Sequence, residues 1–180
     1  MMTIPVDRRR MLRWMAFGAA ALTLRPQPAR AVSAPRRLRF ENVHTGETAS
    51  LEYWVNGRYV REAAQQINYL LRDHRTGEIH AIDSRLPDLL YRLGETLSTE
   101  APFQIISGYR SPRTNRMLAS RSDGVVRNSL HCDGLAVDIR VPGRSLRMVR
   151  DAARSLHAGG VGFYPGSDFV HVDVGRVRFW

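Results

Sequence analysis

Three residues of metal-binding type lie in or beside two strand-like segments of this chain. His131 precedes and Asp138 lies within the apolar run GLAVDIRV, and His171 lies within FVHVDV. A carboxylate inside an apolar strand is costly unless it is paired or coordinated, and a divalent cation with two neutral imidazoles would remove that cost. Two histidines and one carboxylate, with a fourth position open, are the ligand set of a catalytic zinc site. We therefore expect these three residues to bind zinc.

Two other interpretations of the same residues stay open. Each histidine could be an ordinary core or surface residue, with Asp138 paired to an arginine. Two histidines and one carboxylate also form the facial triad of non-haem iron oxygenases. The metal of the isolated protein, and any need for dioxygen and a reductant, would separate iron from zinc.

Two charged residues could complete a hydrolytic site around such a metal. Asp168 lies three residues before His171, where it could accept a proton from water and pass it to a leaving amine. Arg110, in SGYRS, follows an apolar strand-like segment and could stabilise an oxyanion or bind a substrate carboxylate. The alternatives are a turn-capping aspartate after Gly166 and a solvated arginine at a strand end.

Neighbouring polar residues carry weaker signals. Cys132 is the only cysteine, so no internal disulfide can form. Strand alternation would point Cys132 away from the side that His131 faces. Asp173 follows His171 on the same strand face and could orient that ligand, or it could be a solvated acid. Three further residues could line a cleft or simply pack, namely Ser129, Tyr109 and Tyr164.

The elements that must position these residues mix helices with short strands. A hairpin is predicted in RLRFENVHTGETASLEYW, and strands in FQIISGY, GLAVDIRV, VGFY and FVHVDV. Periodicity and capping residues predict helices over 60–73, from Ser84 onward, from Ser111 to about 121, and over 145–157. Because no βαβ rhythm is present, we expect an α+β domain with a mainly antiparallel sheet of about four strands. Its helices would pack on one face and leave the other face as the floor of a site.

The N-terminal segment has the pattern of an export signal. The formal net charge is +10, but six arginines lie within residues 1–31. There DRRRML precedes the apolar run WMAFGAAALTL, which is too short to span a bilayer, and Ala29-Arg30-Ala31 forms a small-x-small cleavage site. The pair Arg8-Arg9 favours a twin-arginine signal, with an ordinary secretory signal or a retained anchor as alternatives. The predicted division is an export signal over 1–31, a flexible lead-in over 32–37 and one domain over 38–180.

Three segments carry a resemblance to a known group of enzymes. SGYRS, SLHCDGLAVDIRV and GGVGFYPGSDFVHVDVG resemble the zinc metallopeptidases related to D-alanyl-D-alanine carboxypeptidases, the LAS group, which has a hedgehog/DD-peptidase-like fold. Within that group, the chain looks like the exported YcbK-like or MepK-like murein endopeptidases over roughly residues 38–180. The string S-x-H-x-x-G-x-A-x-D, from Ser129 to Asp138, is the most specific part.

The resemblance implies a function and a role for each site residue. The family's zinc ligands fall on His131, Asp138 and His171, its acidic base on Asp168, and its carbonyl-polarising arginine on Arg110. Many relatives carry a glutamate at the position of Asp168. The implied activity is zinc-dependent hydrolysis of peptide cross-links in bacterial peptidoglycan, in the periplasm after twin-arginine export.

Substrate and activity leave two alternatives open. A catalytically inactive peptidoglycan-binding module of the same fold is one, although an intact set of ligands and acid argues against it. The scissile bond could join D-alanine to diaminopimelate or join two diaminopimelates. We expect peptidoglycan stem peptides as partners, no nucleic acid because the arginines are spread without interleaved aromatics, and no lasting membrane insertion after signal cleavage.

Overall fold

A computed structural model describes residues 34–121 and 128–180 of the chain. Within these residues the strands form a single sheet. The elements, in chain order, are β1 (Arg36–Asn42), β2 (Thr48–Val55), β3 (Arg58–Tyr59), α1 (Arg61–Leu70), α2 (Arg85–Thr96), β4 (Phe103–Ser107), α3 (Pro112–Ala119), β5 (Ala136–Arg140), α4 (Leu146–Ser155), β6 (Gly160–Tyr164), β7 (Phe169–Asp173) and β8 (Arg178–Phe179). Short 3₁₀ turns precede β5 and β7.

The sheet confirms the α+β class but corrects the expected number of strands. The described residues contain eight strands rather than about four, in the order β3-β2-β1-β4-β5-β7-β6-β8. Most neighbours are antiparallel, whereas β1 pairs with β4 and β6 pairs with β8 in parallel. The expected hairpin is β1–β2, and its parallel pairing with β4 joins it to the same sheet as the site strands. Six strand segments were predicted from the sequence, and the two strands that were not, β3 and β8, contain two residues each, too few to show a period.

Helix starts follow the capping residues in two of three cases. Ser111 and Ser145 accept hydrogen bonds from the backbone N–H groups of Thr114 and Met148, which satisfies donors at the starts of α3 and α4. Ser84 makes no such bond before α2, so its predicted capping contact is wrong. Asp83 satisfies donors at the start of α2 instead, because its side chain accepts from the backbone N–H of Arg85 and its carbonyl accepts from that of Leu86.

The core separates the two faces of the central strands. Val137 and Ile139 of β5 pair with Val172 and Val170 of β7, and all four are buried among the helical leucines. Side chains alternate along a strand, so Asp138 in β5 and His171 in β7, which lie between these apolar residues, point to the opposite face. Each fully buried aliphatic side chain contributes roughly 1.5–3 kcal/mol, which fixes this register strongly. The register therefore decides which polar groups meet on the other face.

The first strand overlaps the segment that was predicted as a flexible lead-in. Strand β1 begins at Arg36, so regular structure starts within the segment 32–37 predicted as a lead-in. The predicted signal at 1–31 lies outside the described residues. Over the part of the chain that the structure describes, none of the helices combines the length and the apolar character needed to cross a bilayer.

Candidate metal centre and cleft

Asp138 and His171 face each other across β5 and β7, and His131 joins them from the 3₁₀ turn at 130–133. The Oδ1 atom of Asp138 lies 2.9 Å from Nδ1 of His171 and 3.2 Å from Nε2 of His131. The two imidazole nitrogens are 3.1 Å apart. All three side chains are buried. The sequence-predicted ligand set is thus brought together at one point.

In each histidine one ring nitrogen, the inner nitrogen, faces Asp138, and the other, the outer nitrogen, faces away from it. The hydrogen bond of the outer nitrogen decides whether the inner nitrogen has a free lone pair. Nδ1 of His131 lies 2.7 Å from the carbonyl oxygen of Gly108, and Nε2 of His171 lies 3.1 Å from Oδ2 of Asp173. A carbonyl and a carboxylate only accept, so each of these outer nitrogens must donate. In a neutral imidazole the other nitrogen is then an acceptor. Three acceptor atoms therefore converge, and a cation is the group that would satisfy them together.

The spacing also suits a small tetrahedral ion. Ligands held about 2.0–2.1 Å from a tetrahedral zinc lie about 3.3 Å from one another. The three observed separations, from 2.9 to 3.2 Å, are close to that value. The donor set of two nitrogens and one oxygen fits zinc in chemistry as well as in size, and it leaves room for a fourth ligand.

The charges of the three groups respond to burial and to one another. Burial raises the pKa of Asp138, but the charge and hydrogen bonds of His131 and His171 outweigh it, so the pKa falls well below its usual range. Burial lowers the pKa of His131. Burial also lowers the pKa of His171, but hydrogen bonds with Asp138 and Asp173 outweigh that effect and raise it. Asp138 is therefore ionised, and a cation would compete with a proton for His171.

The turn that carries His131 is fixed by local backbone geometry. Ser129 accepts a hydrogen bond from the backbone N–H of His131, and the turn ends at Gly134 with a φ of 68°. A Cβ at Gly134 would lie 2.3 Å from the carbonyl oxygen of Ala81, so only glycine fits both the conformation and the contact. The backbone N–H of Arg110 donates to the carbonyl of His131, which ties the turn to the loop after β4.

Arg110 lies beside the three converging side chains and contacts Asp138. Its Nη2 is 3.1 Å from Oδ2 of Asp138, and its Nε and Nη2 each lie 3.3 Å from Oγ of Ser107. The side chain is nearly buried and lines the same cleft as His131, Asp138 and His171. The alternative of a solvated arginine at a strand end is therefore wrong.

Asp168 lies at the rim of the same cleft, between Ser167 and Phe169, which both line it. Its backbone has a φ of 55°, and its carboxylate forms an ion pair with Arg140 of β5. The two side chains are 62% and 36% exposed. In this arrangement Asp168 faces Arg140 rather than the three converging atoms.

Several other sequence predictions have a clear structural outcome. Cys132 lies in the 3₁₀ turn, so strand alternation does not apply to it, and it is not part of the ligand cluster. Burial raises the pKa of its thiol. Ser129 and Tyr164 line the cleft, whereas Tyr109 is buried and stacks on His80. Asp173 is fully buried and contacts the outer nitrogen of His171, so it is not a solvated acid.

The cleft has a volume of about 870 Å³. Beside the ligand residues, its wall includes Arg178 and Trp180, neither of which the sequence had indicated. Both follow β7 in a segment with only two residues of strand, so no periodicity marked them. An open cleft of this size can take an extended peptide with the scissile bond over the three converging atoms.

An α+β sheet whose floor holds two histidines and a carboxylate in an open cleft is the arrangement of a metal-dependent hydrolase. The family model described as "Peptidoglycan L,D-endopeptidase MepK" matches residues 30–180 of the chain. Peptidoglycan L,D-endopeptidase MepK of Escherichia coli (strain K12) is 44% identical over 179 residues, which cover 97% of each protein. A probable peptidoglycan L,D-endopeptidase MepK of Haemophilus influenzae is 38% identical over 174 residues, which cover 93% of this chain and 94% of the relative. The chain belongs to the MepK family of metal-dependent peptidases, which confirms the family expected from the motifs.

Proposed function

We propose that this chain is a zinc-dependent L,D-endopeptidase that hydrolyses peptide cross-links in peptidoglycan. The observation that carries the metal assignment is the convergence of one atom each from His131, Asp138 and His171, at 2.9 to 3.2 Å from one another. The choice of the L,D bond rests on the names of the relatives, which are 38–44% identical. These names favour the bond between two diaminopimelates over the other bond that the sequence left open.

The metal would be held by Nε2 of His131, Nδ1 of His171 and Oδ1 of Asp138. When bound there, zinc would supply Lewis acidity, which makes water a better nucleophile and a carbonyl a better electrophile. Asp173 would hold the His171 ring through its outer nitrogen, and the Gly108 carbonyl would do the same for His131.

Asp168 would act as the general base and then as the general acid. It takes a proton from the attacking water and delivers it to the leaving amine nitrogen. Its contact with Arg140 is between partly exposed side chains, and such pairs are worth about 0–1 kcal/mol. Turning the carboxylate into the cleft therefore costs little. Arg110 would hold Asp138 in its ionised form and present its guanidinium to the carbonyl of a bound peptide.

The site of action would be the periplasm, where the substrate lies. The twin-arginine pattern at residues 1–31 supports export of the folded protein by that route. A fusion of this segment to a reporter, compared with a variant in which Arg8 and Arg9 are both lysine, tests the route. Export that depends on the pair supports the twin-arginine assignment, and unchanged export favours an ordinary secretory signal.

Digestion of purified peptidoglycan tests the activity directly. We expect the zinc-loaded chain to release stem peptides from L,D cross-links and to leave D,D cross-links intact, as read by chromatography and mass analysis of the muropeptides. The His171→Ala variant should lose both metal and cleavage. Full cleavage by the chelator-stripped protein would contradict the metal assignment. Binding to sacculi without release of peptide would favour an inactive binding module.

A further inference from the structure

An aromatic wall, formed by Trp180, Tyr164 and Phe169, stands beside the proposed metal ligands. The indole centroid of Trp180 is 5.3 Å from that of the His171 ring. The rings of Tyr164 and Phe169 stack with centroids 4.7 Å apart. All three residues line the cleft, and the Trp180 side chain keeps nearly half of its surface exposed. A large apolar ring is thus presented to whatever occupies the cleft.

The position of the indole is built into the sheet. Gly162 of β6 pairs with His171 of β7. A Cβ at Gly162 would lie 2.7–2.8 Å from three atoms of the Trp180 indole, so the ring lies directly on the backbone where a side chain is missing. This close approach places the indole next to His171, on the face of the sheet that carries the ligands.

Polar contacts hold the ring in that place. The indole N–H donates to the hydroxyl of Tyr164 at 2.7 Å. The backbone of Trp180 donates to the carbonyl of Val161 and accepts from the N–H of Phe163, which extends the pairing of β8 with β6. The indole therefore meets a ligand in a defined orientation, at a small cost in conformational entropy.

The chemistry of the wall favours an aliphatic group. The nearest guanidinium, that of Arg178, lies 4.9 Å from the indole centroid, but it already donates to both carboxylate oxygens of Asp173 and to the carbonyl of Arg176. The polar N–H of the indole is also used. The charge of Arg178 is thus paired with Asp173, and the exposed part of the indole itself is apolar, which suits methylene groups rather than a carboxylate.

The geometry points to Trp180 as a substrate-positioning residue that packs against the aliphatic side chain of the residue flanking the scissile bond. This inference rests on the proposed function, because it takes the scissile bond to lie over the His131, Asp138 and His171 cluster. Successive residues of an extended chain are about 3.3–3.6 Å apart. A ring 5.3 Å from His171 therefore reaches the residue next to the bond and not a sugar several residues away.

Substitution of Trp180 tests whether this residue positions the substrate, which changes KM, or takes part in the chemical step, which changes kcat. With a sugar-free, L,D cross-linked peptide as substrate, we expect Trp180→Ala to raise KM about ten-fold with kcat changed less than three-fold, a scale set by one or two methylene groups left in water. Trp180→Phe should recover part of the loss. The matched control is Trp54→Phe on β2, which does not line the cleft and should leave both constants unchanged.

A second variant tests the contact between the indole and Gly162 without removing the ring. Gly162→Ala should displace the indole and raise KM as Trp180→Ala does. Gly94→Ala in α2 is the matched control, because a Cβ there would meet its neighbours at an ordinary 3.7 Å. Circular dichroism and thermal unfolding verify that each variant folds.

Two further measurements distinguish positioning of the substrate from other roles of Trp180: the zinc content of the variant and its KM with substrates that retain their sugars. If Trp180→Ala loses zinc in a chelator competition, the indole protects His171 and the positioning role is overturned. If the KM effect appears only with substrates that retain their sugars, the wall binds glycan and the aliphatic assignment is wrong.

Calorimetric binding of the same peptide to the Asp168→Asn variant, with and without Trp180→Ala, keeps the test independent of cleavage. Equal affinities would overturn the inference even if the proposed hydrolysis holds. Failure of the wild type to cleave any cross-link would overturn the proposed function, and with it the assignment to a residue beside a scissile bond; peptide affinity that still depends on Trp180 would then show only that the ring packs against a bound peptide.

Discussion

Arg110 and Asp138 form a buried ion pair in which each oxygen of the carboxylate has a different task. Oδ2 accepts from Nη2 of Arg110 at 3.1 Å, while Oδ1 faces the two imidazoles. A buried carboxylate that loses one partner is left with an uncompensated charge, which is worth several kcal/mol. The arginine therefore supports the ligand set as well as facing the cleft.

Replacement of Arg110 by lysine tests whether the site needs only a positive charge or also the planar shape of a guanidinium. Lysine keeps the positive charge but cannot hold Asp138 and face the cleft with a planar guanidinium. We expect kcat/KM to fall about 100-fold or more and zinc affinity to fall about ten-fold, measured by steady-state cleavage and by chelator competition. Arg113→Lys, on the exposed side of α3, should change neither quantity. Wild-type activity in Arg110→Lys would show that only the charge matters.

Asp173 should set the affinity of the site for its metal. It accepts from the outer nitrogen of His171, from the backbone N–H groups of Gly160 and Gly175, and from Arg178. Loss of a carboxylate that orients a metal-bound histidine costs about 10- to 100-fold in metal affinity. We expect Asp173→Asn to bind zinc more weakly by that factor in a chelator titration.

The control for Asp173→Asn is the same exchange at Asp151, an exposed acid on α4. It changes the net charge equally but lies outside the cleft. If both variants retain zinc as the wild type does, Asp173 serves the backbone turn and not the ligand.

Spacing and alternation were sufficient to select three residues that the structure brings together. The GLAVDIRV and FVHVDV segments read as strands, so Asp138 and His171 could be placed on strands before their pairing was known. The register that sets them opposite one another is a long-range property, decided by packing of Val137 and Ile139 against Val172 and Val170. A period in the sequence shows which residues share a face but not which strands are neighbours.

The features that the sequence did not reveal depend on such long-range contacts. The joining of the hairpin to the site strands needs the parallel pairing of Phe40 with Phe103, which leaves no local pattern. Asp168 has a positive φ although it is not glycine, and it pairs with Arg140, 28 residues earlier in the chain. Trp180, which follows β8, lies over Gly162 of β6, the residue that pairs with His171, and this contact between separate strands leaves no local pattern in the sequence.

Asp168 and Arg140 offer a test of the proposed base. Asp168→Asn keeps the shape of the side chain but cannot take a proton, so kcat should fall about 10²- to 10⁴-fold with zinc content unchanged. Arg140→Gln should lower the free energy of unfolding by less than about 1 kcal/mol, because the pair is partly exposed. Its kcat should change far less than that of Asp168→Asn. Equal losses in the two variants would indicate that the base works only while paired with Arg140.

The carboxylate of Asp73 should make the stability of the protein depend on pH in the acid range. This buried carboxylate accepts from the backbone N–H groups of Ser111 and Arg75, and so it anchors the loop that carries Arg110. Burial raises the pKa of Asp73, but hydrogen bonds from Thr114 and Ser111 outweigh that effect and lower it from 3.8 to about 2. A carboxyl with that difference between unfolded and folded states contributes about 2 kcal/mol to stability.

Because the folded-state pKa of Asp73 is depressed, its contribution is complete above about pH 4 and is lost as the pH falls through about 2. We expect Asp73→Asn to unfold at lower urea concentration than the wild type at pH 7, with the gap between the two narrowing from pH 4 to pH 2. Glu62→Gln, at an exposed position of α1, should track the wild type throughout. A gap that stays constant down to pH 2 would mean that Asp73 stabilises the loop without its charge, and the loss in Asp73→Asn would then come from altered hydrogen bonding to Ser111 alone.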